Sequence, residues 1–381
     1  MRIARLAALW AVVAIVMAAC TGDGASPSGS AGGSGGATAD CLVGVSWNNY
    51  TQPRWAATDE PSIQETVEAG GGSYTRADAA DSDTQQLTDV ENLINQGIDV
   101  LILLAADTST IGPAVQQAKD AGIPIIAYDR LIEDPELLYM TFDNIGVGEA
   151  EAAAMLERVP EGTYVVIKGD PGDPNASTFL PLGWENAGFN DAVDSGAITI
   201  FDEQFTDDWS PTTAQNTMEA IIDRANAEGV QIDAVLAEND STAFGVAAAL
   251  QTKNYDQIPV SGQDGDPANL NNVALGWQYV DVWKNSNELG KAAGQAAVQL
   301  CDGTAIEDLT IEVDESVAPT EGNSPTGFDT PGGNTVPSLI LQPTPIIAED
   351  LGLVFDAGWY ATKEEICEGV TEDNPGFEPC Q

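Results

Sequence analysis

Apolar positions in this chain come in short bursts separated by stretches with helical spacing. The clearest pair of bursts lies in 123–146, IPIIAYDRLIEDPELLYMTFDNIG. Residues 123–127 and 137–142 are too short for buried helices and read as buried strands. Each ends in a polar cluster, Tyr128-Asp129-Arg130 after the first and Asp143-Asn144 after the second. Upstream, Leu87, Val90, Leu93 and Ile94 fall at i, i+3, i+6 and i+7, which gives 83–96 one apolar helical face, and Gly97 closes it. Strands over 42–46, 73–77, 100–105 and 123–127, with helices over 56–69, 83–96 and 111–121, spell βαβαβαβ. That order demands a parallel sheet with right-handed crossovers.

The pattern restarts after Asn144. It predicts helices over 148–158, 179–191, 212–226, 243–250 and 289–300, with Met218, Ile221 and Ile222 facing inward on the third. Strands are expected over 164–168, 198–201, 232–237, 259–261, 276–282 and 338–341. Segment 320–336 is rich in Gly, Pro, Thr and Asn and reads as a surface loop, and 359–367 as a last helical stretch. The fold class is α/β, with two doubly wound parallel-sheet lobes, because the roughly 340 residues after Ala39 exceed one comfortable core.

The first residues stand apart. Arg2 and Arg5 precede an apolar run over 6–17 whose length suits a signal peptide and is short for a membrane span. The run closes on Met17-Ala18-Ala19-Cys20, which resembles the lipobox of bacterial lipoproteins and implies cleavage before Cys20 and lipid on its thiol. An ordinary signal peptide cut nearby is the alternative, and both place the mature chain outside the cytoplasm. Residues 21–39 are mostly Gly, Ser, Ala and Thr and read as a flexible tether. No later stretch is long and apolar enough to span a bilayer.

Charge and composition exclude several functions. The net charge is −47, which repels nucleic acid and anionic lipid, and there is no histidine. Ser-His-Asp and Cys-His catalysis and histidine-based zinc sites go with it. The phosphate-binding glycine motifs GxGxxG and GxxxxGK[ST] are absent. DGDPAN at 264–269 lacks the glycine and glutamate of a calcium loop. Beyond Cys20, four cysteines remain without a CxxC pair. Cys41 opens the first strand and Cys301 ends a helix that should run antiparallel to it, so their pairing is expected. Cys367 and Cys380 would close a second, short loop. Free buried thiols are the alternative, disfavoured by an oxidising compartment.

The candidate chemistry lies in the loops after strands: Arg54-Trp55, Asp129-Arg130, Asp173 and Asn175, Trp209, Asn239-Asp240, Asp264 and Lys284. In an open α/β sheet these loops line the ligand crevice. Of 13 Lys and Arg residues two lie in the leader, and three of the others, Arg54, Arg130 and Lys284, fall here. A sugar presents hydroxyls that donate and accept at once. Aspartate accepts from them, Arg and Lys donate, Asn does both, and an indole covers the C–H face. Each residue has a plainer role open to it. Trp209 could be a core aromatic, Asp173 a turn residue, Gln263 structural, and Asn239 or Asp240 a helix cap. Asn239 is preferred for the ligand and Asp240 for the cap.

With these residues in view the chain resembles the periplasmic sugar-binding proteins of ABC importers. Within them it is most similar to the D-xylose-binding and multiple-monosaccharide-binding members. The matching words are PRW (53–55), DVENLINQGIDVLIL (89–103), GIPIIAYDRLI (122–132), TFDN (141–144), AVLAENDSTAFG (234–245) and VSGQDGD (260–266). The resemblance spans about residues 42–365 and implies the type I periplasmic binding protein fold. One lobe would be 40–143 plus 284–341, the other 144–283 plus 342–381, joined by a three-strand hinge near 142–144, 280–283 and 341–345. It implies that Arg54, Asp129, Arg130, Asp173, Asn175, Trp209, Asn239, Asp264 and Lys284 contact the sugar, with Trp55 beside them. It further implies a monomer, without catalysis, cofactor or metal, that passes a monosaccharide, xylose first, to a permease whose ATPase is a separate chain. The membrane would be met only through the lipid anchor. Residues 47–49, GDPGDPN and the loop 310–337 depart from the family pattern. A receptor signalling to a sensor kinase would use the same pocket. A glycosidase would need a raised carboxyl among Asp129, Asp173 and Asp264, which Arg54 and Arg130 oppose. Loss of Arg130 is expected to weaken binding while hardly moving the unliganded melting temperature.

Overall fold

The computed structural model describes residues 41–381 except Thr51, Glu321 and Gly358, so the leader, Cys20 and the linker lie outside the described residues. The first half supplies β1 (Leu42–Trp47), β2 (Ser73–Asp78), β3 (Val100–Leu103), β4 (Ile125–Tyr128) and β5 (Leu138–Phe142). The middle supplies β6 (Gly162–Ile167), β7 (Ile198–Gln204), β8 (Ala234–Ala237) and β9 (Asp281–Trp283). The end supplies β10 (Thr326–Asp329), β11 (Thr335–Leu341) and β12 (Thr344–Ile346).

The larger sheet has the order β10-β11-β5-β4-β3-β1-β2 and is parallel throughout except for the β10–β11 hairpin. β3 and β4 are buried at every position, as strands covered by helices on both faces must be. The second sheet pairs β7-β6-β8 in parallel, and single parallel bridges at Val235–Val260 and Gln263–Val282 lead on to the antiparallel pair β9-β12. The chain passes between the two sheets at 142–144, 283–286 and 341–344. Helix Asp83–Gln96 starts where the Ser82 hydroxyl accepts from the Gln85 N–H, and stops at Gly97, whose φ of 84° is easy for a residue without Cβ. Helices Asn144–Arg158 and Leu180–Asn186 pack backbone to backbone. A Cβ on Gly148 would stand 2.2 Å from the Leu180 carbonyl oxygen, and one on Gly183 2.2 Å from that of Ile145. Their contact fixes the turn Asn175–Phe179 that precedes the second helix.

Several elements differ from the sequence reading. The stretch 56–69 begins as a π-helical turn, Trp55–Asp59, before α-helix Glu60–Ala69. The single helix expected over 179–191 is a π-helical turn and two α-helices, Leu180–Asn186 and Phe189–Ser195, broken where Gly188 takes φ 84°. The strand expected over 276–282 shrinks to β9, because Gly276 instead ends helix Pro267–Leu275. The strand expected over 259–261 makes only the Val260 bridge. Residues 320–336 are not merely loop, since β10 and the start of β11 form an edge hairpin there. In the last stretch the helices are Leu351–Asp356 and the short Lys363–Ile366.

Cys41 and Cys301 are joined, as are Cys367 and Cys380, with Cα–Cα separations of 5.8 and 5.5 Å. The second closes a short loop, a constraint worth roughly 3 kcal/mol in the loop-entropy model. Peptide mapping without reductant is expected to recover these two cross-links. Free thiols or crossed pairs would contradict the assignment.

Candidate functional site

The carboxyl ends of the strands bring their polar loops to one place. Gln52, Arg54 and Trp55 follow β1, Asp129 and Arg130 follow β4, and Asp173 and Asn175 follow β6. Trp209 follows β7, Asn239 follows β8, Gln263 and Asp264 follow the Val260 bridge, and Lys284 follows β9. All twelve line one cleft with an empty volume of about 270 Å³. Ten of them are the residues singled out in the sequence. The other two are Gln52, whose one sequence signal is its place two residues before Arg54 in the same post-strand loop, and Gln263, for which a structural role is also open.

The local backbone is unusual at this point. Trp55 and Asn175 each open a π-helical turn, a feature that collects at functional sites. Asp129, Trp209 and Asp264 have φ of 64°, 54° and 110°, conformations that cost side-chain-bearing residues strain and persist only where the surroundings enforce them. For Trp209 one such contact is with Gly169, where a Cβ would lie 2.1 Å from the indole ring.

Arg54 is buried at the centre. Its Nε and Nη2 donate to the two oxygens of Asp59 at 3.2 and 3.1 Å, and its Nη1 donates to Asp264 at 2.9 Å. Nη2 also lies 3.5 Å from Asp129. Asp59 in turn accepts from Tyr128 Oη at 2.6 Å and from Thr58 Oγ1 at 3.1 Å. Burial opposes the charge on Arg54, but Asp59, Asp129 and Asp264 outweigh it and raise its pKa. Burial raises the Asp59 carboxyl, against the pull of Arg54. This supporting shell was not legible in the sequence, because Asp59 sits inside a helix-like stretch with no motif of its own.

Arg130 pairs through Nε with Asp173 Oδ2 at 2.8 Å, and its Nη1 donates to the carbonyls of Ala105 and Ala106 at 2.8 and 2.9 Å. Nη2 keeps no protein partner among the described residues. Arg130 is 3% exposed, and its partners would be left unpaired without it, so its removal is expected to lower the melting temperature rather than leave it unmoved. Asp173 also accepts from the Asn175 N–H at 2.8 Å, combining the turn role with the ion pair, and burial raises its carboxyl against Arg130. Lys284 donates to Asn144 Oδ1 at 2.8 Å and lies 3.9 Å from Asp264.

The division of labour between Asn239 and Asp240 is corrected. The Asn239 side chain caps helix Asp240–Thr252 by accepting from the Thr242 N–H at 2.9 Å, while still lining the cleft. Asp240 is the first helical residue and faces the loop before Pro267. Two polar neighbours each had the chemistry of a cap, and only the tertiary contacts of Asp240 decide between them.

Among the described residues, four buried polar atoms of the cleft have no hydrogen-bond partner: Trp55 Nε1, Asn175 Oδ1, Trp209 Nε1 and Gln263 Oε1. Asp129 Oδ1 and Arg130 Nε have only their ion pairs, to Arg54 and Asp173. Buried polar groups are nearly always bonded, so six such atoms in one cleft mark it as a candidate ligand site. Three are donors and three are acceptors. The arrangement suits a compact, uncharged ligand that both donates and accepts, with indoles beside it.

The sequence profile of the periplasmic binding protein domain matches residues 43–305. The D-xylose-binding periplasmic protein of Escherichia coli is 33% identical over 263 residues, which cover 68% of this chain and 78% of that protein. The D-xylose-binding periplasmic protein of Haemophilus influenzae is 29% identical over 329 residues, covering 86% and 92%. Among solved structures, an ABC transporter solute binding protein from Clostridium phytofermentans with bound β-D-glucose superposes with a TM-score of 0.73 at 30% identity, covering 85% of this chain and 99% of that one.

Proposed function

Because the chain belongs to the periplasmic binding protein domain family, whose members bind solutes rather than transform them, we propose that it captures a neutral monosaccharide, xylose first, in this cleft and delivers it to an ABC permease. The ATPase would be a separate chain. The coarser statement, a sugar-binding protein of the periplasmic type serving ABC transport, is what family membership and relatives support together. Xylose is preferred because two relatives carry that name. The lipid anchor rests on Met17-Ala18-Ala19-Cys20 alone, and no described helix is long and apolar enough to cross a membrane.

The observation that carries the reading is the set of unpaired donors and acceptors in one buried cleft. A pyranose hydroxyl gives to Asn175, Gln263 or Asp129 and takes from an indole N–H or from Arg130. Such a ligand meets residues from both sheets: Arg54, Asp129 and Arg130 from the larger, Asp173, Asn175, Trp209 and Asp264 from the smaller. We read the bodies around these sheets as two lobes that hinge at the three strand crossings. A ligand held by both favours the closed form, since only there are both sets of bonds made. The ion pairs Arg54–Asp264 and Arg130–Asp173 join the same two sides.

A thermal-shift panel of neutral monosaccharides, uronic acids and amino sugars tests this reading. A ligand bound only by the native state stabilises it by about 2.7 kcal/mol at a hundred times Kd. D-Xylose should raise the melting temperature and the charged sugars should not. A response confined to the charged sugars would overturn the reading.

A further inference from the structure

Asp264 is presented to the cleft by a short loop whose backbone is held from behind by two carboxylates. The Gly265 N–H donates to Asp240 Oδ2 at 3.0 Å and to Asp281 Oδ1 at 3.1 Å, and the Asp266 N–H donates to Asp240 Oδ2 at 2.7 Å. Gly265 takes φ 85°, and a Cβ there would lie 2.3 Å from Trp283 Cδ1. The Gly265 carbonyl is held by Trp359 Nε1 at 2.6 Å, and Asp266 Oδ1 by Tyr360 Oη at 3.0 Å. Asp240 Oδ1 accepts from Gln278 Nε2 at 3.1 Å. Asp240 and Asp281 are fully buried and within side-chain hydrogen-bond reach of each other, yet Asp281 Oδ2 has no donor. Two carboxylates facing each other in a dry site repel unless a proton lies between them.

We propose that Asp240 and Asp281 share one proton, and that the bridged pair holds 264–266 in the strained shape that aims Asp264 into the cleft. The shared proton lies between the two carboxyls, on the side where Asp281 Oδ2 has no other donor among the described residues. Asp281 is a positioning residue for Asp264. The charged and titratable groups facing the pair are Asp264 and Asp266 on the loop, Glu151 on helix Asn144–Arg158, Tyr360 in the C-terminal segment, and Arg54 beyond Asp264. The nearby cations are Arg54, engaged by Asp59 and Asp264, and Lys284, which donates to Asn144 and lies 3.9 Å from Asp264. Among the described residues no acid cluster is arranged to hold a metal ion in place of the proton.

The sign of the pH effect follows. Burial pushes Asp281 up to about 8, and Asp240 well above the carboxylate range. The folded chain therefore holds a proton that the unfolded chain has released. The stability this proton supplies is complete below about pH 4 and is lost progressively as pH rises to about 8. Above that the pair repels, the loop relaxes and Asp264 leaves its position. The effect on affinity rests on the sugar-cleft reading, whereas the pair itself does not.

Asp281→Asn replaces the shared proton with a permanent N–H donor. The ligand-free melting temperature of the parent should fall between about pH 6 and pH 9, and that of Asp281→Asn should fall distinctly less. Parent affinity for D-xylose should be about tenfold weaker at pH 9 than at pH 7, and that of the variant nearly constant. Asp240→Asn serves the same comparison from the other side of the pair if Asp281→Asn does not fold. The infrared spectrum of the parent should lose a protonated-carboxyl band over the same range. Parallel melting profiles for parent and variant, or no loss of that band, would overturn the shared proton. Absence of sugar binding at every pH would instead sink the ligand reading and leave the melting comparison to decide the pair.

Discussion

Replacing Arg54 with methionine is expected to lower the melting temperature by on the order of 6–10 °C and to remove measurable sugar binding. Asp59, Asp129 and Asp264 all pair with this one guanidinium, all are buried, and among the described residues only Asp264 has a second cation, Lys284 at 3.9 Å. Removing one partner of a buried ion pair typically costs about 3–5 kcal/mol, because the other charge is left without compensation. Here three carboxylates are left. They would take up protons or admit water, and either response moves Asp129 and Asp264 from the ligand. Asp59→Asn is the informative control. It keeps an oxygen for Arg54 but loses half of the fork and the charge, so it should weaken binding less than Arg54→Met. Thermal melts and sugar titrations on the two variants check this. An Arg54→Met protein that melts and binds like the parent would show that this cation does not organise the cleft.

The second large effect is expected at Arg130. Arg130→Met should weaken sugar affinity roughly a hundredfold or more, since each charge-assisted hydrogen bond is worth about 1.5–3 kcal/mol and Nη2 has no protein partner among the described residues. The unliganded protein should also melt lower, because Asp173 loses its counter-charge and the Ala105 and Ala106 carbonyls lose their donor. Arg130→Lys should recover part of the stability and less of the affinity. An ammonium can reach one partner but cannot hold a carboxylate, two carbonyls and a ligand in one plane. Equal affinities for parent and Arg130→Met would place the ligand elsewhere.

Much of the cleft was legible because one rule governs it. A buried parallel strand is a short apolar burst, and the polar residue that ends it stands at the crevice. Asp129 and Arg130 after β4, Asn239 after β8 and Lys284 after β9 all obey that rule. Elements without such a burst were hidden. The β10–β11 hairpin is built from TGFD and a strand containing Pro337 around a Gly-rich turn, so its composition reads as loop. Helix Pro267–Leu275 opens with Asp266 before Pro267, a start signal masked by the turn-like DGDPAN. The π-helical turns at Trp55 and Asn175 leave no mark in apolar spacing over so few residues. The carboxylates behind the cleft, Asp59, Asp240 and Asp281, act through partners distant in sequence, and only folding brings those partners together.

The most direct test of the central claim is calorimetric titration of the protein with D-xylose, glucose, galactose, arabinose and ribose, with and without EDTA. The account predicts one saturable site for a neutral monosaccharide, filled best by xylose and unchanged by the chelator. No heat of binding with any of the five, or binding that disappears in EDTA, would contradict it.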